Sequence, residues 1–472
     1  MKKLFFILAT LVYATLAWAN GGYSIRIKLT EFSEKEIYLA YYYGDKQYIR
    51  DTAMLDATGY FEFAGAEELP GGVYMVVMPP NNEYFQLLIN AGEQQFSLTT
   101  NARKPADNMR IEGSADNKLL YDYLNYLSAK RPEADTLRAR IARVSDQSQK
   151  ATLQKQLEAI NESVQTHQKS LIAKYPKTLT AAIIRANMPL EEPEYQGADE
   201  MAIQEQRWRY TLEHFFDNVN LGDSRMLRTP FLFERVQYYV EKLNVQHPDS
   251  INQAIDFVLG KMRPAEETFK YYLIHFLNFY AKSQFVGMDA IYVHLVNRYY
   301  ASGQAPWTER EQLEKIIENA KALEPLLIGK IAPDITLQRR DGSKMNLHSV
   351  NADFTVVYFW KYDCGVCKKG TPVLKEFYEK YKGRGVEIFA VCYKFGKDVP
   401  ECWDYVDENG INDWIHVADP YNSSRFSDAY FVKATPTIYL LDKKKEIVSK
   451  RIAAEQLDEI LERVLEMKSK EK

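Results

Sequence analysis

Phe359-Trp360-Lys361-Tyr362-Asp363-Cys364-Gly365-Val366-Cys367 is the stretch on which the fold of this chain turns. The apolar run before it, Phe354 to Trp360, is too short to cross a bilayer and suits a buried strand. After it, Lys368 to Lys382 has helical spacing. A cysteine placed where a strand ends and a helix begins lies among free helix N–H groups, whose dipole stabilises a thiolate. A two-residue spacer lets a second thiol close onto the first, so Cys364 and Cys367 suit reversible dithiol–disulfide exchange. Zinc would need a second pair, and the remaining cysteines, Cys392 and Cys402, fall on a different strand and helix. Haem attachment would need a histidine after the second cysteine, and Lys368 stands there. The reading therefore calls for no metal and no cofactor.

Outward from this point the pattern alternates. Asp341-Gly342 marks a hairpin, Val386 to Tyr393 reads as a strand, Val399 to Asn409 as a helix, and Trp414 to Ala418 and Thr437 to Asp442 as strands. A last amphipathic helix runs through Leu457, Ile460, Leu461 and Val464. Strands alternating with helices predict an α/β sheet covered on both faces.

Residues 329–472 resemble the thioredoxin fold of the TlpA/ResA type, the periplasmic thiol-disulfide oxidoreductases. Four ordered motifs carry the resemblance. Gly329-Lys330-Ile331-Ala332-Pro333-Asp334 resembles the family's G-x-x-A-P-D opening, and Phe359 to Cys367 its F-W-x-x-x-C-x-x-C segment. Pro372 matches the helix-kinking proline, and Ala434-Thr435-Pro436-Thr437 the cis-proline loop. The resemblance implies that Cys364 is the attacking thiol and Cys367 the resolving one. It also implies that Pro436 is cis and faces the disulfide, with the backbone of Thr435 pairing with an extended substrate.

The chain departs from the family pattern in two ways. Relatives usually keep a buried carboxylate near the dithiol, where it assists proton transfer to the resolving thiol, but the matching positions here are Tyr358 and Gly370. Asp363 is the nearest carboxylate in sequence, and its charge disfavours the Cys364 thiolate if it is close. The Gly-Val spacer also lacks the Pro or His common in relatives. Whether Cys392 and Cys402 form a second disulfide stays open, since it requires Cα atoms within about 7 Å.

The remainder divides at changes of period. Met1-Lys2-Lys3, an apolar run from Leu4 to Ala17 and Ala17-Trp18-Ala19 read as an export signal, residues 1–19, shorter than the ~20 residues of a membrane span. Residues 20–114 alternate with period two, as in Tyr23 to Leu29 and Tyr74 to Met78. With turns at Gly44-Asp45, Pro70-Gly71-Gly72 and Ala91-Gly92, they predict an all-β sandwich or barrel of short antiparallel strands. Tyr41-Tyr42-Tyr43 reads as packing ahead of a binding strip. Residues 115–328 have helical spacing and predict an all-α domain, its long helix through Leu153, Leu157, Ile160 and Val164 being one arm of a hairpin. Residues 329–472 complete a multidomain chain.

Composition narrows the function. Of the 472 residues 46% are hydrophobic and 26% charged, which excludes a collagenous or mostly disordered chain. The net charge of −4 argues against a nucleic-acid partner. The resulting expectation is an exported thiol-disulfide oxidoreductase of the periplasm or cell envelope, without a stable membrane span after processing. It would reduce or rearrange disulfides of envelope proteins and draw on a membrane or soluble electron donor. The alternative is a non-enzymatic envelope binding or assembly protein that keeps the thioredoxin fold as a scaffold. A peroxidase is a third choice, suggested by Ala332-Pro333-Asp334, but it lacks the expected P-x-x-x-T/S-x-x-C segment around Cys364.

Overall fold

The computed structural model describes residues 22–197 and 199–470. The expected export signal, residues 1–19, lies outside them. The chain divides into two compact units. One runs to Asn244 and includes Asp256–Tyr271; the other takes Val245–Ile255 and the chain from Tyr272 onward.

The first unit opens with strands β1 (Tyr23–Thr30), β2 (Glu36–Tyr43), β3 (Lys46–Met54), β4 (Phe61–Gly65), β5 (Gly72–Met78), β6 (Glu83–Ile89), β7 (Gln95–Asn101) and β8 (Arg110–Glu112). They form two four-stranded sheets, ordered β4-β1-β7-β8 and β3-β2-β5-β6. Alternation places Ile25 and Ile27 of β1 in one core with Leu39, Phe63, Val76, Leu87 and Leu98, the arrangement of a sandwich. One expectation is corrected: β1 and β7 pair in parallel, Ser24 opposite Gln95 through Thr30 opposite Asn101. Period-two spacing reports which face a side chain takes and is blind to strand direction. The chain passes to the second sheet between β1 and β7, so no hairpin forces them antiparallel. The tyrosine run packs: Tyr41 lies 5.7 Å from Tyr74 and Tyr43 5.4 Å from Tyr271, ring to ring.

Helices α1 (Ala115–Arg143) and α2 (Gln147–Lys174) form the expected hairpin, closed over Ala134, Leu137, Leu153 and Ile160. Ser114 and Asp146 cap them, each accepting a backbone N–H from the first turn. Further helices follow: α3 (Leu179–Ala186), α4 (Glu200–His214), α5 (Leu232–Tyr238), α6 (Pro248–Met262), α7 (Glu266–Ala281), α8 (Asp289–Leu295) and α9 (Arg310–Leu323).

In the second unit a seven-stranded sheet is built from β9 (Thr336–Gln338), β10 (Lys344–Asn346), β11 (Phe354–Trp360), β12 (Val386–Cys392), β13 (Ile415–Ala418), β14 (Thr437–Asp442) and β15 (Ile447–Lys450). Its order is β10-β9-β13-β12-β11-β14-β15. Four helices join it: α10 (Gly365–Tyr381), α11 (Pro400–Asn409), α12 (Phe426–Ala429) and α13 (Leu457–Lys470). β11 runs parallel to β12 and antiparallel to β14, and all seven of its residues are buried. That is why it reads as an unbroken apolar run instead of an alternation. Val356, Tyr358 and Trp360 face a core filled by α10, α11 and α13. Val357 and Phe359 face another, filled by Leu326, Leu347, Phe426 and Tyr430. Both faces are covered, with the long helices on one of them. The sheet is of the thioredoxin type, and it brings the end of β11 and the start of β14 together.

Candidate active site

The geometry starts from the ladder between β11 and β14. Phe359 stands opposite Thr437, so Pro436, one residue earlier, falls beside the end of β11, where the chain turns into the dithiol. The Thr435–Pro436 bond is cis. Cys364 is the N-cap of α10, and its Sγ accepts the Cys367 backbone N–H at 3.1 Å. The same sulfur lies 3.3 Å from the Thr435 carbonyl oxygen, within reach for a reduced thiol to donate. The four expected site residues, Cys364, Cys367, Thr435 and Pro436, are therefore gathered in one place although 71 positions separate Cys364 from Thr435.

The two sulfurs are paired as a disulfide with Cα atoms 5.1 Å apart. Their surroundings differ. Cys364 is partly exposed, whereas Cys367 is 1% exposed. An N–H aimed at Sγ and the free N-terminus of a 17-residue helix both favour the thiolate of Cys364 once the bond is open. The outer sulfur can be reached by a large partner; the inner one can be reached only by its neighbour.

Asp363 does not point its charge at this thiolate unopposed. Its carboxylate pairs with Lys394 at 2.6 Å, and that ammonium holds the Asp363 pKa below the usual carboxylate range. Lys394 also sits over the Tyr362 ring at 4.7 Å. Lys394 lies 31 positions downstream, just past β12, and no motif marked it.

Behind Cys367 this chain places hydroxyls. Thr371 donates to the Cys367 carbonyl at 2.9 Å, Tyr358 reaches the same oxygen at 3.4 Å, and Tyr405 donates to Thr371 at 3.2 Å. Burial pushes the Tyr358 pKa up, so it stays protonated near neutrality. Gly370 leaves room: a Cβ there would meet the Ala454 side chain at 3.5 Å, an ordinary contact. The remaining cysteines are also bonded. Cys392, at the end of β12, and Cys402, in the first turn of α11, form a disulfide with Cα atoms 6.5 Å apart, both sealed from solvent.

Comparison with known proteins places the second unit in a family. The AhpC/TSA family matches residues 328–450. Two domains of unknown function, DUF4369 and DUF5106, match residues 23–120 and 148–322. Thiol-disulfide oxidoreductase ResA of Bacillus thuringiensis (strain Al Hakam) is 32% identical over 142 residues, covering 29% of this chain and 77% of the relative. Among solved structures, a domain of a possible thiol-disulfide isomerase from Cytophaga hutchinsonii is 34% identical with a TM-score of 0.29, covering 31% of this chain and 99% of that one. A thioredoxin-like protein from Bacteroides caccae is 19% identical with a TM-score of 0.43, covering 58% of this chain and 99% of that one. Among the described residues no helix is long and apolar enough to cross a membrane. Through its thioredoxin-like unit, the chain belongs to the ResA-type thiol-disulfide oxidoreductases and is an enzyme of that class.

Proposed function

We propose that the protein reduces or rearranges disulfides of other exported proteins in the periplasm or cell envelope, with Cys364 as nucleophile and Cys367 as resolving thiol. The observation that carries this reading is the asymmetry of the pair: an outer sulfur at a helix N-cap beside Thr435, and an inner sulfur that is 1% exposed. In the reducing direction the Cys364 thiolate attacks a client disulfide. The Cys364–client S–S bond forms as the client's own S–S bond breaks, and the departing client sulfur takes up a proton. Cys367, losing its proton, then attacks Cys364. The internal disulfide forms, the second client thiol leaves, and two electrons have passed to the client. A dithiol donor, soluble or membrane-bound, restores the reduced pair. Thr435 and Pro436 offer backbone for an extended client segment. The segments 20–114 and 115–328 would choose or present the client, and residues 1–19 would direct export.

Trapping tests this assignment. Cys367→Ala leaves the mixed disulfide with no internal thiol to resolve it, so clients in an envelope extract are expected to accumulate as reductant-sensitive adducts. An extract that yields no adducts, with Cys364 shown to react with a small disulfide, would overturn the assignment of client proteins as substrates.

A further inference from the structure

Beside the dithiol the second unit carries a groove of about 550 Å³. Val366, from the spacer between the two cysteines, forms one wall, and Pro436 forms another. The groove is therefore continuous with the place where a client segment would lie. Its size is in the range of ligand-binding clefts. Tyr358, Ile438 and Ile452 contribute apolar, buried floor. Val366 is 63% exposed at the rim, an apolar side chain held in the open beside the dithiol.

The charges around this floor are unbalanced. Lys369, Lys433 and Arg451 line the groove, against Glu455 alone. None of the three cations takes part in an ion pair among the described residues. Two of them are held in place by an aromatic ring: Lys433 Nζ lies 4.3 Å and the Arg451 guanidinium carbon 5.6 Å from the centre of Phe431. Phe431 and Arg451 both have left-handed backbone, with φ of 48° and 55°. Non-glycine residues adopt that region uncommonly. Arg451 and the ring that holds it are thus both fixed in this conformation.

We propose that this groove selects clients whose target cysteine is flanked by acidic residues, the apolar floor taking the aliphatic stem and the cations the carboxylate. The proposal rests on the reading that Cys364 attacks client disulfides, and it adds the chemical class of the segment attacked. Partly exposed ion pairs contribute modestly each. Together the three are expected to produce about a tenfold preference.

The test uses the full protein, reduced beforehand, and three disulfide peptides that differ only in having Glu, Gln or Lys on either side of one cysteine. Second-order rate constants for peptide reduction are expected to fall in that order, with Glu about tenfold above Lys and the ratio shrinking as salt is raised. Lys369→Glu combined with Lys433→Glu is expected to reverse the order; both side chains are exposed, so the pair does not disturb the core. Arg451→Gln is a second variant, expected to narrow the ratio without reversing it. Equal rate constants for the Glu and Lys peptides, with the Gln peptide reduced, would overturn the acidic selection and leave the thiol chemistry intact. Reduction of none of the three by a protein with free Cys364 thiol would overturn the client reading itself, and this proposal with it.

Discussion

The second unit contains the same covalent bond twice, and the two copies sit in opposite surroundings. Cys364–Cys367 spans three positions at the N-cap of α10, and Cys392–Cys402 spans ten between the end of β12 and the first turn of α11. Both pairs therefore place a cysteine near a helix N-terminus, so the dipole by itself does not decide which one reacts. Access decides it. Cys364 is partly open beside the Thr435 carbonyl, whereas Cys392 and Cys402 are 1% and 0% exposed within the core that holds Trp360 and Trp414. A client sulfur must approach in line with the bond it breaks, and only the first pair leaves room for it. The second is a cross-link.

The largest expected effect tests this division directly. Cys364→Ser should lower reduction of a protein disulfide by more than about a thousandfold, roughly 4 kcal/mol. The double change Cys392→Ala with Cys402→Ala should leave the rate within a few-fold. Loss of turnover in a folded double variant would break the comparison.

That double variant should instead lose stability. By the chain-entropy relation, a cross-link closing a loop of this length contributes about 2 to 3 kcal/mol, readable from urea unfolding of the oxidised forms. An unchanged midpoint would mean that the buried pair does not act as a staple.

Next in size is a pH effect in the same corner. His416, on β13, lies 5.7 Å from Trp414, ring to ring, and donates from Nε2 to the Ile411 carbonyl at 2.7 Å. Its Nδ1 is sealed with no partner. Burial pushes its pKa down to about 4. A histidine that is neutral when folded and has a pKa near 6.5 when unfolded contributes nothing to pH dependence above 6.5. Stability then falls as the pH drops from 6.5 towards 4, because the unfolded chain takes the proton first. The loss at pH 5 should be about 2 kcal/mol. His416→Gln should flatten that part of the profile, and an unflattened slope would place the titrating group elsewhere.

The smallest effect sharpens the reactive side of the comparison. Gly370→Glu puts a carboxylate one helical turn after Cys367, where a Cβ meets only an ordinary contact. Resolution of the mixed disulfide should speed up several-fold near neutrality and acquire a new pH dependence in single-turnover measurements. Identical profiles would mean that the hydroxyls of Tyr358, Thr371 and Tyr405, or water among them, already move the proton.

Local order was legible wherever the relevant physics is local. The uninterrupted apolar run of β11 implied burial on both faces, the CxxC spacing implied a closable pair, and the four-and-three spacing of Leu153, Leu157, Ile160 and Val164 implied a helical arm. The parallel pairing of β1 with β7 left no trace in the residues, because alternation is the same in either direction. Lys394 carried no signal either. It meets Asp363 only because β12 ends beside β11, with Cys392 opposite Trp360.

By itself, then, the sequence determined that Cys364 and Cys367 can close into a bond, the class of sheet that carries them and the loop that faces them. These depend on spacing along one segment or on motifs of consecutive residues. Tertiary structure alone decided that Asp363 is neutralised by Lys394, that Cys392 and Cys402 are close enough to bond, and that Lys369, Lys433 and Arg451 surround one groove. Each of those depends on distances between residues ten or more positions apart, set by strand register and packing, to which no local pattern is sensitive.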